Sequence, residues 1–278
     1  MSLRLLCLHG YGQSAEVFRA RSGALRRALK GLVGEFVCID APHRCTHFLP
    51  DESEASVVQR LGWWDWTEEP GCQRRRFGWE KSEEILLAFI DADQQGFDGV
   101  LGFSQGAVAG AMLCATQPKR FRFAVLVAGG LPTDPGMSEI LAAACKLNAP
   151  MPPAMHVYGQ LDQLVEPARV LDLAALWGGS ATPYGHPGGH MIPSSKEFRD
   201  AVVAFISGLS NRPDASAAQS NNNSNHNNHN NNKNNNNDDN SNSMAPRALP
   251  VPTAQTSLAD VPTGLHVDEL QSLLLRRH

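Results

Sequence analysis

The chain has 278 residues, a formal net charge of -4 and 42% hydrophobic residues. A balance so close to neutral gives no basis for binding nucleic acid or an anionic membrane surface, and no apolar run approaches the ~20 residues of a membrane helix. Residues 1–210 have globular composition, enough for one domain with a full core, and the text then turns to Ser, Ala and Asn.

The elements are best taken in chain order. Leu3 to Leu8 is a nearly continuous apolar run ending at His-Gly-Tyr-Gly, as a strand buried on both faces would be. Cleavage of a signal peptide would remove this strand, so none is expected. Phe18, Leu25, Leu29 and Leu32 recur at helical spacing, with Gly31 and Gly34 near the end of that helix. Glu35 to Asp40 forms a second strand, stopped by Ala-Pro-His43.

Ile85, Leu86, Phe89 and Ile90 place a helix over 79–93, before a third strand at 98–102. Phe123 to Val127 is a fourth strand and Ala154 to Tyr158 a fifth. A helix from Pro167 to Trp177, a short strand near 181–185 and a last helix from the capping-box pattern Ser194-Ser-Lys-Glu197 follow. Strands alternating with helices predict an α/β fold, a mostly parallel sheet with helices on both faces.

Beyond the domain at 1–210, residues 211–264 form an Asn-rich linker too polar to bury a core, so disorder is expected there. His226 and His229 within it suit a neutral spacer better than a metal site. Residues 265–278 hold a candidate short amphipathic helix, with Leu270, Leu273 and Leu274 on one side; its partner is unknown. The six cysteines show no C-x-x-C or zinc spacing. Reduced, structural thiols are expected, in a cytoplasmic or also nuclear setting.

Phe97 to Ala107 carries the most chemistry. Gly102-Phe-Ser104-Gln-Gly106 lies between a strand and a helix of small residues, the context in which G-x-S-x-G forms a nucleophile elbow. The turn leaves no room for side chains two residues either side of Ser104, which the glycines satisfy. A serine nucleophile needs a base and a group to orient that base. Asp162, in the loop after the fifth strand, is the candidate carboxylate; Glu166 is the runner-up but suits a helix N-terminus. His190, after two glycines, is the candidate base, with His186 nearer the strand end. His156 suits a satisfied strand histidine, and His43 and His47 lie in a loop with no partner visible in the sequence.

An oxyanion hole needs two backbone N–H groups. Gln105, after the nucleophile, and Tyr11, in the loop after the first strand, are the candidates. Trp63, Trp64, Trp66 and Phe77 fall in a long segment expected over the carboxyl end of the sheet. They either wall a substrate groove or anchor the loop to the body. Arg74-Arg-Arg76 suits a solvated loop better than a receptor for an anionic substrate.

Leu-Cys-Leu-His-Gly-Tyr-Gly-Gln-Ser at 6–14, Asp-Ala-Pro-His at 40–43, the elbow at 97–107, Gly-Gln-Leu-Asp at 159–162 and Gly-Gly-His at 188–190 together resemble the FSH family of serine hydrolases. The resemblance covers about residues 2–208. It implies a compact α/β-hydrolase fold and a Ser104-Asp162-His190 triad without metal or cofactor. It also implies carboxylesterase activity on a small-molecule ester or thioester, with long-chain acyl groups preferred. An acyl thioesterase or lysophospholipase on the same triad is the nearest rival, and a ligand-binding module that has kept the fold is another. The Asn-rich tail departs from the family's pattern; were it the main functional part, deleting 211–278 would abolish function, whereas a hydrolase would stay active.

Overall fold

The computed structural model describes residues 2–47, 60–67, 75–147 and 150–210. The linker at 211–264, the candidate helix at 265–278, Cys72 and Arg74 lie outside the described residues. The chain runs β1 (Leu3–Leu8), α1 (Ala15–Arg21), α2 (Gly23–Ala28), β2 (Val33–Ile39). Four short strands follow: β3 (His43–Arg44), β4 (Leu61–Gly62), β5 (Asp65–Thr67) and β6 (Arg75–Phe77). Then come α3 (Trp79–Ala92), β7 (Gly99–Phe103), α4 (Gln105–Thr116), β8 (Phe123–Val127) and α5 (Pro135–Lys146). The domain closes with β9 (Ala154–Gly159), α6 (Pro167–Leu176), β10 (Ala181–His186) and α7 (Lys196–Ser210).

Six strands form one parallel sheet in the order β10-β9-β8-β7-β1-β2, while β3 pairs with β4 and β5 with β6 in two small antiparallel ribbons. The chain begins in the interior at β1, adds β2 on one side and resumes with β7 on the other. That reversal of strand order falls at the carboxyl ends of β1 and β7, the position at which α/β sheets bind ligands.

Alternation along β1 divides the core. Leu6 and Leu8 join Leu86, Phe89, Met112 and Leu173 under α3 to α6, whereas Leu5 and Cys7 join Phe18, Leu25, Phe198 and Val202 under α1, α2 and α7. Each face of the sheet thus has its own apolar layer, as a parallel sheet requires.

Besides the short strands β3 to β6, which fall where no regular element was expected, three features differ from the sequence expectation. The helix after β1 is split, because Ser22 turns its hydroxyl back to the Phe18 carbonyl at 2.8 Å and the chain restarts as α2 at Gly23. Helix α5 was not expected, yet it begins with an ordinary signal: Asp134 accepts from the Met137 amide and Pro135 occupies the first turn. In α7 the capping hydroxyl is Ser195, which accepts from the Phe198 amide at 3.2 Å, one residue beyond the expected Ser194.

Candidate active site

Ser104 stands between β7 and α4 with φ 53° and ψ -117°, a backbone shape that L residues avoid. The two flanking glycines make this turn feasible. A β-carbon at Gly102 would meet Ala107 Cα at 2.6 Å, and one at Gly106 would collide with the carbonyl oxygens of Leu8 and His9. Close packing of small residues thereby sets the head of α4 directly against the end of β1. The partial positive charge of the helix N-terminus lies at the serine.

Beyond β9 and β10 the chain brings the partners to this point. The Gln160 amide donates to the His186 carbonyl at 2.8 Å, and the Leu161 amide to the Gly188 carbonyl at 3.1 Å. A β-carbon at Gly159 would come within 2.5 Å of that Gly188 carbonyl, so glycine is needed where the two loops touch. His190 Nδ1 donates to Asp162 Oδ2 at 2.8 Å, and His190 Nε2 lies 2.9 Å from Ser104 Oγ. The other oxygen of Asp162, Oδ1, accepts from the Leu164 and Val165 amides, both at 2.9 Å. Its carboxylate is buried and held in one orientation by these three donors.

His9 to Gln13 is equally fixed. The Ala41 amide donates to His9 Nε2 at 3.0 Å, so the proton resides on Nδ1 and is given to the Gly10 carbonyl at 2.8 Å. Burial lowers the pKa of His9, which keeps the ring neutral and this arrangement intact. The Gly10 amide donates to Gln13 Oε1 at 3.3 Å and the Gly12 amide to the Leu61 carbonyl at 2.9 Å. Between them, the Tyr11 amide has no acceptor among the described residues. The Gln105 amide, in the first turn of α4, has no intrahelical acceptor either. The Tyr11 hydroxyl donates to buried Asp65 at 3.0 Å. Burial would raise the pKa of that carboxyl, but hydrogen bonds from Thr46, Trp66 and Tyr11 outweigh it and leave the pKa lowered.

The aromatic segment needs a correction. Trp63 is 0% and Trp64 4% exposed, so neither walls an open groove; both belong to the core under α3 and α4. Trp66 is half-buried, 4.8 Å from the Tyr11 ring and 4.7 Å from the His47 ring, and Phe77 is exposed. The Gln105 side chain binds this segment: its Oε1 accepts from the Trp63 amide at 2.7 Å and its Nε2 donates to the Trp64 carbonyl at 2.8 Å. Nothing in the local sequence signals these bonds, which span 42 and 41 residues.

The remaining candidates resolve individually. Glu166 occupies the N-cap position of α6, not the row with His190. His186 is buried and accepts from the Gly188 amide at 3.2 Å, so it shapes the turn before His190. His43 and His47 meet the carbonyls of Gly78 and Trp66 at 2.8 and 2.7 Å. His156, expected to be satisfied, has no hydrogen-bond partner among the described residues on either ring nitrogen; it packs edge-on against Trp177, and burial pushes its pKa down to about 4. Arg76 lies 5.8 Å over the Trp64 ring and donates to Thr133 Oγ1 at 3.0 Å, in place of a purely solvated position.

A parallel sheet, a strained serine on a strand-to-helix turn and a hydrogen-bonded acid-histidine-serine row define an α/β-hydrolase with the architecture of a serine hydrolase. The profile described as Serine hydrolase (FSH1) matches residues 1–202, and the chain belongs to that family. It is 34% identical over 228 residues to Esterase OVCA2 of Danio rerio, a match covering 73% of this chain and 96% of that protein. The crystal structure of esterase PE8 superposes with a TM-score of 0.56 at 21% identity, covering 75% of this chain and 93% of that one. Acyl-protein thioesterase 2 of Zea mays gives a TM-score of 0.53 at 16% identity over 75% of this chain and 94% of that one, a likeness of fold.

Proposed function

We propose that this protein hydrolyses carboxylic esters of apolar acyl groups through an acyl-serine intermediate. The observation that carries the proposal is the row Asp162-His190-Ser104, with links of 2.8 and 2.9 Å. Ser104 Oγ attacks the ester carbonyl while its proton passes to His190 Nε2, which then delivers it to the departing alcohol oxygen. Asp162 holds the proton on Nδ1 so that Nε2 is free to act as base. The uncommitted Tyr11 and Gln105 amides receive the oxyanion. Water, deprotonated by His190, attacks the acyl-serine and releases the acid. Leu161, Leu164 and Met191 are exposed and flank Asp162 and His190 in sequence, which favours an apolar acyl chain beside the row. A thioester would use the same steps.

Intact mass after treatment with a small alkyl fluorophosphonate is the test. One phosphonyl group on the wild type, lost in Ser104→Ala and in His190→Ala, is expected. Well-folded wild type with no adduct and no turnover of p-nitrophenyl esters of any chain length overturns the proposal. Matched oxygen esters and thioesters, compared by kcat/KM, separate esterase from thioesterase.

A further inference from the structure

Gln105 has two functions in one residue, and the second lies in its side chain. Its amide heads α4 beside the serine, while its carboxamide clamps Trp63 N–H and Trp64 C=O. The clamped segment reaches across to the other side of the site. The Trp63 indole Nε1 donates to the His9 carbonyl at 2.9 Å, the Leu61 carbonyl accepts from the Gly12 amide at 2.9 Å, and the Leu61 amide donates to the Gln13 carbonyl at 3.0 Å. Residues 61–64 are therefore bonded at one end to the residue after the nucleophile and at the other to the loop that presents Tyr11.

We infer that the Gln105 side chain is a positioning residue: through Leu61–Trp64 it sets the separation between the Gln105 and Tyr11 amides and so holds both halves of the oxyanion hole in register. The two amides come from the ends of different strands, and among the described residues no hydrogen bond joins them directly. Apart from half-buried Gly12, the residues of the link are buried, with Trp63 at 0% and Gln105 at 8% exposure, so water competes little for these bonds. A β-carbon at Gly62 would lie 2.9 Å from the Tyr11 ring and 3.1 Å from Gln105 Oε1, which shows how tightly the segment is wedged between the two. An oxyanion hole acts through preorganised donors, and a displacement of ~1 Å can cost about 100-fold in rate. The inference rests on the hydrolase reading above.

Steady-state kinetics of Gln105→Met and Trp63→Phe test it on p-nitrophenyl esters. Methionine is close in size to glutamine and can hold neither backbone group; phenylalanine removes the indole link to His9. Each variant is expected to lose about 10- to 100-fold in kcat with KM changed less than about 2-fold. The acid limb of the pH-rate profile should stay in place, because the His190-Asp162 pair is untouched. The double variant should lose less than the product of the single losses, since one brace can be released only once. A folded Gln105→Met with the kcat of the wild type overturns the inference, as does a loss confined to KM. Should Gln105→Met fail to fold, unchanged kcat in Trp63→Phe overturns it equally. Wild type that neither turns over esters nor takes up fluorophosphonate would instead sink the hydrolase reading, before either variant is measured.

Discussion

Gly106 lies against the backbone of Leu8 so closely that any side chain at 106 would be driven into the Leu8 carbonyl oxygen. The obstacle is backbone on a central strand, which has no rotamer to change. Gly106→Ala should therefore cost about 3 kcal/mol or more and remove activity with it. Gly208, with nothing within 4 Å of its virtual β-carbon, is the matched control; Gly208→Ala within α7 should gain ~0.5–1 kcal/mol. Denaturant midpoints of the two variants check both signs.

The positive φ of Ser104 can be weighed by comparing two variants that both lack the hydroxyl. Ser104→Ala keeps the β-carbon and its strain, whereas Ser104→Gly releases it. Chemical denaturation should place the glycine variant about 1 kcal/mol above the alanine variant. Equal stabilities would mean that the turn is not strained.

Asp162 orients the histidine with one oxygen and ties down its own loop with the other, and two substitutions separate these tasks. Asp162→Asn retains an oxygen for the Leu164 and Val165 amides but turns an N–H₂ group toward His190. The imidazole proton then moves to Nε2, the wrong side, and kcat should fall about 10³- to 10⁴-fold with little loss of stability. Asp162→Ala should in addition lower stability by about 1–3 kcal/mol, because both amides lose their acceptor. Kinetics alongside thermal melts distinguish the two patterns.

His156 predicts an acid limb in stability. Its folded-state pKa of about 4 lies below the unfolded value of 6.5, so between these pH values only the unfolded chain takes up the proton. Stability contributed by the neutral ring is complete above pH 6.5, is lost as pH falls, and levels off below about 4; the loss amounts to about 3 kcal/mol. His156→Leu should flatten this limb of the thermal midpoint against pH. An unchanged limb would assign it to other groups.

Much of this molecule was legible in the sequence where local pattern and function coincide. The apolar runs at Leu3 to Leu8 and Phe123 to Val127 have one explanation, burial on both faces, and glycines at 102 and 106 around a serine have one turn that needs them. Ser104, Asp162 and His190 could be chosen because each follows a strand of a parallel sheet, where such loops converge. What the sequence concealed depends on contacts between distant segments. A row of tryptophans does not reveal which way it faces, so Trp63 and Trp64 served equally well as groove or anchor until their burial was known. The split at Ser22 is a competition between a hydroxyl and the helix backbone that periodicity cannot register. His156 is a buried polar residue with no hydrogen-bond partner among the described residues, which no pattern anticipates.

The strand order carries one further consequence, for when this protein becomes active. On the proposed mechanism the nucleophile follows β7, in the interior, while the base follows β10, which pairs only with β9 at the edge of the sheet. The base is therefore the last catalytic part to leave the ribosome, and an edge strand must dock before it can reach Ser104, 86 residues earlier. A nascent chain with β1 to β9 in place carries an exposed serine and no means of activating it. On that mechanism, chemistry is withheld until this edge has docked.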